Sequence, residues 1–148
     1  MESSSPLITL CSLAQKALDQ ATNHLGQIRQ SHTQAEEQLT MLLNYQREYR
    51  DKLNNTMTGG IAANTWQNYQ QFIGTLEVAI DQHRRQLQQW DQRLNAAVNQ
   101  WQDKQQRLNA YQTLQTRASE QQRSHENKMD QKQNDEFAQR SAYRKKML

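Results

Sequence analysis

A chain of 148 residues has room for one ordinary domain, yet only 34% of its residues are hydrophobic and its net charge is +3, which argues against an ordinary globule. Plain disorder is also excluded, because charge is low and the few apolar residues recur at regular spacing. Abundant Gln, Ala, Leu, Arg and Glu, with one proline, favour long helices that each bury a narrow stripe.

The chain opens MESSSP, with no basic region, and the apolar run Leu7–Leu10 is too short for a signal peptide. No segment approaches the ~20 apolar residues of a membrane span, so a soluble, cytoplasmic protein is expected. Ser5 before Pro6 reads as a helix N-cap followed by proline at the first helical position. A 3–4 spacing then runs through Leu7, Cys11, Ala14, Leu18, Ala21, Leu25, Ile28, His32, Ala35, Leu39, Leu42, Gln46, Tyr49 and Leu53, a heptad seam with two polar interruptions. Cys11, the single cysteine, permits no intramolecular disulfide and reads as a small packed thiol in a reducing compartment.

The seam stops at NNTMTGG, residues 54–60, a cluster of turn formers. Asn64 with Gln67 resembles a capping box that restarts the helix. A second seam follows: Trp66, Tyr69, Ile73, Leu76, Ile80, His83, Leu87, Trp90, Leu94, Ala97, Trp101, Lys104, Leu108 and Tyr111. The fold class is therefore all-α, a long antiparallel two-helix coiled-coil hairpin. As one domain over 1–148 it has a helix at about 6–54, a turn at about 55–64, a helix at about 65–140 and a frayed tail at 141–148. Folding the seams together places Leu53 opposite Trp66, Leu42 opposite Leu76, Leu39 opposite Ile80, Ile28 opposite Trp90, Leu18 opposite Trp101 and Leu7 opposite Tyr111. Arg29 would flank Asp91 and Glu36 would flank Arg84, complementary pairs that fix orientation. The first helix would be ~70 Å long.

Pairing runs out at Tyr111, so residues 112–148 form a C-terminal helical overhang carrying Leu114, Met129, Phe137, Tyr143 and Leu148. A lone helix so poor in apolar residues is marginal in water and is best ordered by a partner. The basic surplus sits here: residues 112–148 hold eight basic and five acidic groups, against five and six in 1–60 and five and four in 61–111. These charges alternate in sign and lack aromatic platforms, which speaks against nucleic acid and for a solvated face or an acidic protein partner.

Phe72 and Ala79 do not belong to the seam. With Trp66 as heptad position a and Tyr69 as d, they are g positions, as are Gln38 and Tyr45 of the first helix. In an antiparallel hairpin the g positions of both helices line one side, so Tyr45 would face Phe72 and Gln38 would face Ala79. The d residues Leu42, Tyr49, Leu76 and His83 open towards the same side. These eight converge on an apolar flank opposite a charged one, the composition of a protein-binding surface. The alternative is that Tyr45 and Phe72 merely widen the core.

No chemistry is legible. Gly59 and Gly60 turn the chain rather than cradle phosphate, and His24, His32, His83 and His125 form no metal-spaced set. Glu36 and Glu37 lie on a solvated face without a pocket. No catalytic residue, metal or cofactor is expected.

The segments AEEQLTMLLNYQREYR (35–50), NYQQFIGTLEVAIDQHR (68–84) and MDQKQNDEFAQR (129–140) resemble the flagellar export family FliJ over nearly the whole chain. The resemblance implies a component of the flagellar type III export machine, similar to the central stalk of rotary ATP synthases. It implies insertion into the hexameric export ATPase, promotion of ring assembly, engagement of the cytoplasmic domain of the membrane export gate FlhA, and binding of emptied export chaperones. It implies gate contacts at Gln38, Leu42, Tyr45, Tyr49, Phe72, Leu76, Ala79 and His83. A monomer at the inner face of the cytoplasmic membrane, needed for flagellum assembly and motility, is the expectation. A self-associating structural coiled coil is the competing class, and a nucleic-acid module the third.

Overall fold

The computed structural model describes residues 5–60 and 62–147, and among them there are two helices and no strand. Helix α1 spans Ser5–Thr58 and α2 spans Ala63–Met147. Their contacts divide the chain into two compact units: unit 1 comprises Met1–Leu18 with Lys104–Leu148, and unit 2 comprises Asp19–Asp103. No helix among the described residues is long and apolar enough to cross a membrane.

The connection is shorter than the sequence predicts. α1 runs on to Thr58 rather than stopping near 54, and threonine hydroxyls of its last turns bond to carbonyls of the preceding turn. Thr56 Oγ1 donates to the Lys52 carbonyl at 2.6 Å and Thr58 Oγ1 to the Asn55 carbonyl at 2.7 Å. Gly59 N–H then donates to the Thr56 carbonyl at 3.1 Å, and Gly60 takes a φ of 75°, the left-handed conformation that glycine adopts without steric penalty after a helix end. The Ala62 carbonyl accepts the Trp66 N–H at 3.1 Å, so the restart lies at Ala62, and Asn64 sits inside the first turn instead of capping it. Ile61, residues 1–4 and Leu148 lie outside the described residues.

With the bend moved towards the C-terminus, the facing pairs seen in unit 2 are moved with it. A heptad seam interlocks only in steps of three or four residues, so the pairing settles one step beyond the sequence reading. In unit 2 the displacement is visible directly. Phe72 stacks on Tyr49 rather than Tyr45, with ring centroids 4.4 Å apart. Trp101 Nε1 donates to Thr22 Oγ1 at 3.0 Å rather than lying opposite Leu18. Asp91 Oδ1 meets His32 Nε2 at 2.5 Å rather than Arg29, and Glu36 Oε1 meets His32 Nδ1 at 2.7 Å rather than Arg84. Trp66, whose partner should have been Leu53, is 40% exposed. Among the described seam residues up to Tyr111 it alone is exposed; the others are buried or half-buried.

The core of unit 2 is a single file of small and branched side chains: Leu25, Ala35, Leu53, Ile73, Leu76, Ile80 and Ala97. Unit 1 buries Ala14, Leu18 and Leu108, and half-buried Cys11 donates its thiol to Gln115 Oε1 at 3.3 Å. The same step brings Gln115 and Ala118 into partial burial, extending pairing past Tyr111. Residues 119–140 are all exposed. α2 nevertheless continues through 141–147, where the sequence predicts fraying. No Pro or Gly follows Gly74, and Arg144, Lys145 and Lys146 in the last turn complement the negative end of the helix dipole.

Two measurements check this register. In a Cys11→Ser background, Gln46→Cys with Leu76→Cys should cross-link oxidatively far faster than Leu42→Cys with Leu76→Cys. His32→Ala should lower Tm by a few degrees, as expected for losing about 1 kcal/mol of hydrogen bonding, while Arg29→Ala leaves it unchanged.

Candidate functional site

All eight candidate residues, Gln38, Leu42, Tyr45, Tyr49, Phe72, Leu76, Ala79 and His83, lie in unit 2. The seam residues among them are held by packing. Leu76 is buried, while Leu42, Tyr49 and His83 are half-buried. The g residues stand further out: Gln38 is exposed, Tyr45 is 47% exposed and Phe72 is 42% exposed, with Ala79 half-buried.

Tyr49 is the centre of the cluster. Its ring lies 4.4 Å from Phe72 at an interplanar angle of 41° and 6.4 Å from Tyr69 at 57°, tilted arrangements that aromatic quadrupoles favour. The Lys52 ammonium sits 5.6 Å from the Tyr49 ring centroid. Tyr69 and Lys52 are members that sequence reasoning missed. Tyr69 is assigned to the seam there and so counts as core. Lys52 follows Tyr45 by one heptad on the g series, a signal that extending that series by one repeat would have caught.

Phe72 and Tyr45 do not meet as the sequence predicts. Phe72 is clasped by Tyr49 across the helix pair, and Tyr45 stands one turn away on the outer face of α1. There it lines an open surface with Thr40, Met41, Asn44, Glu37 and Glu48, of which Met41 is 55% exposed. The apolar flank is thus two neighbouring parts, a stacked aromatic group and a freely presented tyrosine beside a methionine.

The other flank is polar. The e positions carry Thr22 bonded to Trp101, Glu36 and Asp91 bonded to His32, and Arg50 paired with Glu77 at 3.4 Å. Polar bonds between the helices of unit 2 concentrate there, and ring contacts concentrate on the d and g side. Each exposed pair on the polar flank adds little energy but disfavours a slipped register. Among the described residues no group of three or more His, Cys, Asp or Glu side chains is placed to hold a metal ion.

The chain matches the family "Flagellar FliJ protein" over residues 3–147. It is 55% identical over 139 residues to the Flagellar FliJ protein of Escherichia coli (strain K12), covering 94% of this chain and 95% of that protein. To the Flagellar FliJ protein of Salmonella typhi it is 56% identical over 139 residues, with the same coverage. A shorter match, 44% identical over 43 residues, relates it to the Flagellar FliJ protein of Buchnera aphidicola subsp. Acyrthosiphon pisum (strain APS), covering 29% of this chain and 30% of that protein. With a family match over nearly its whole length and relatives of this identity, the chain belongs to the flagellar FliJ family.

Proposed function

We propose that this protein is a non-enzymatic stalk of the flagellar type III export apparatus, with separate partner surfaces on its two units. Membership of the FliJ family makes it a component of flagellar protein export. In this reading the exposed helix of unit 1 enters the hexameric export ATPase and promotes ring assembly, and unit 2 docks the cytoplasmic domain of the membrane export gate. Emptied export chaperones are further partners, and the protein works at the inner face of the cytoplasmic membrane at the flagellar base.

The observation that carries the gate assignment is the exposure of Tyr45 and Phe72 on a flank that leaves interhelical polar bonding to the opposite side. Aromatic side chains presented over a packed floor are the usual anchors of protein interfaces. For unit 1, the supporting observation is a helix exposed on every side from 119 to 140, slim enough for an axial channel. The chain itself performs no chemistry in this scheme. It transmits binding between a nucleotide-hydrolysing ring and a gate.

Pull-downs against the gate domain and the ATPase separately test the scheme. Tyr45→Ala should weaken gate capture at least about tenfold while leaving Tm nearly unchanged, as an exposed substitution does. Phe72→Ala should weaken gate capture too, but with a stability loss of about 1 kcal/mol from the broken Tyr49 stack. Undiminished gate capture by both variants would refute the site. A chain ending at Glu120 should lose ATPase stimulation and keep gate binding, and the opposite pattern would reverse the assignment of units.

A further inference from the structure

From Leu53 to Leu76 the chain carries no Asp, Glu, Lys, Arg or His, although charged residues make up 22% of the whole. The stretch takes in the end of α1, the bend and the first turns of α2. Charges at its borders are engaged: Arg50 pairs with Glu77, and the Lys52 ammonium sits 5.6 Å from the Tyr49 ring centroid. Exposed polar side chains within it are amides and hydroxyls, among them Asn54, Asn64, Asn68 and Gln71.

Aromatic residues cross this uncharged surface in a row. Trp66, Tyr69 and Phe72 follow at steps of three, which makes successive members neighbours on a helix. Tyr69 and Phe72 lean on Tyr49 through ring contacts, but Trp66 does not. It is 40% exposed, and its indole makes no hydrogen bond or ring contact with a described residue. An indole left in water at the end of an aromatic row is the kind of group that anchors a protein interface.

Chemistry narrows the occupant. Amides covered by a partner need hydrogen-bonding groups opposite them, which acyl chains lack. An anionic lipid surface attracts clusters of Lys and Arg, and this stretch has none. A protein surface offers both an apolar slot for an indole and donors and acceptors for amides. Any charge it brought here would lose water without meeting an opposite charge, so the covering surface is itself uncharged.

We propose that Trp66 is a further anchor of the gate-docking surface, its indole taken into an apolar slot on an uncharged part of the export gate's cytoplasmic domain. This rests on the gate reading above, which Tyr45 and Phe72 test without the tryptophan.

Titration of the gate's cytoplasmic domain with the full chain tests it. Trp66→Ala should weaken binding about tenfold, by the same factor at about 0.1 M and about 0.5 M salt, with Tm unchanged. Trp66→Phe should recover part of the loss. Asn68→Asp, one turn before Phe72, should also weaken binding, because it sets a carboxylate in the uncharged contact. If Tyr45→Ala and Phe72→Ala weaken binding and Trp66→Ala does not, this inference alone falls; if none of the three does, the gate reading falls with it. A drop of several degrees in the Tm of Trp66→Ala would reveal a packing role and overturn the proposal. So would wild-type binding to vesicles of phosphatidylethanolamine and phosphatidylglycerol that Trp66→Ala abolishes, which would assign the indole to lipid.

Discussion

Where α1 stops decides which side chains ever meet. A two-helix pair has one row of buried contacts and no third element to correct it, so the bend acts as the origin from which both seams are counted. Four residues between the helices, with Gly60 in a left-handed conformation, set that origin. The packed layers follow, then the flanks beside them. Stability in such a molecule is a sum of modest layers, several filled by alanine, so selectivity for one alignment has to come from side chains that tolerate no other. His32 is one such side chain, gripped by a carboxylate from each helix. Trp101 bonding Thr22 is another.

Segregating these polar bonds onto one flank frees the other. Ion pairs and hydrogen bonds on the e side hold the alignment at little energetic cost, leaving the d and g side open for aromatic groups. Phe72 is half engaged in this way: its ring is supported by Tyr49, which limits its rotamers before any partner arrives, while much of its surface still faces water. Tyr45 has no such support among the described ring contacts, and Met41 next to it is unbranched and adaptable. One flank therefore offers a preorganised anchor and a pliable one side by side.

Most of this was legible in the residues. Heptad spacing marks the helices, their burial stripe and the off-seam placement of Phe72, because each follows from a 3.6-residue turn acting on neighbours in sequence. The alignment of one helix on the other was not legible. NNTMTGG looks like turn material, yet the helix continues through it to Thr58, with the hydroxyls of Thr56 and Thr58 turned back onto its carbonyls. Displacing the origin by so little forces a whole seam step, and that changes Phe72's neighbour from Tyr45 to Tyr49 without altering which flank Phe72 occupies. Lys52 was missed for a related reason: stopping the helix at 54 makes its last g position look like a fraying end. The family resemblance, carried by segments around 35–50, 68–84 and 129–140, depends on residue identity and survives the slip intact.

All three tryptophans, Trp66, Trp90 and Trp101, fall within unit 2. They occupy different surroundings: Trp66 is open to solvent, Trp90 lies under the Arg93 guanidinium at 4.8 Å, and Trp101 is hydrogen-bonded through its indole. Indole emission is thus a built-in optical label for one unit alone, while the other is spectroscopically dark apart from tyrosine. Solvent quenchers would reach these fluorophores in graded order, so loosening of the helix pair could be followed layer by layer without attaching a dye.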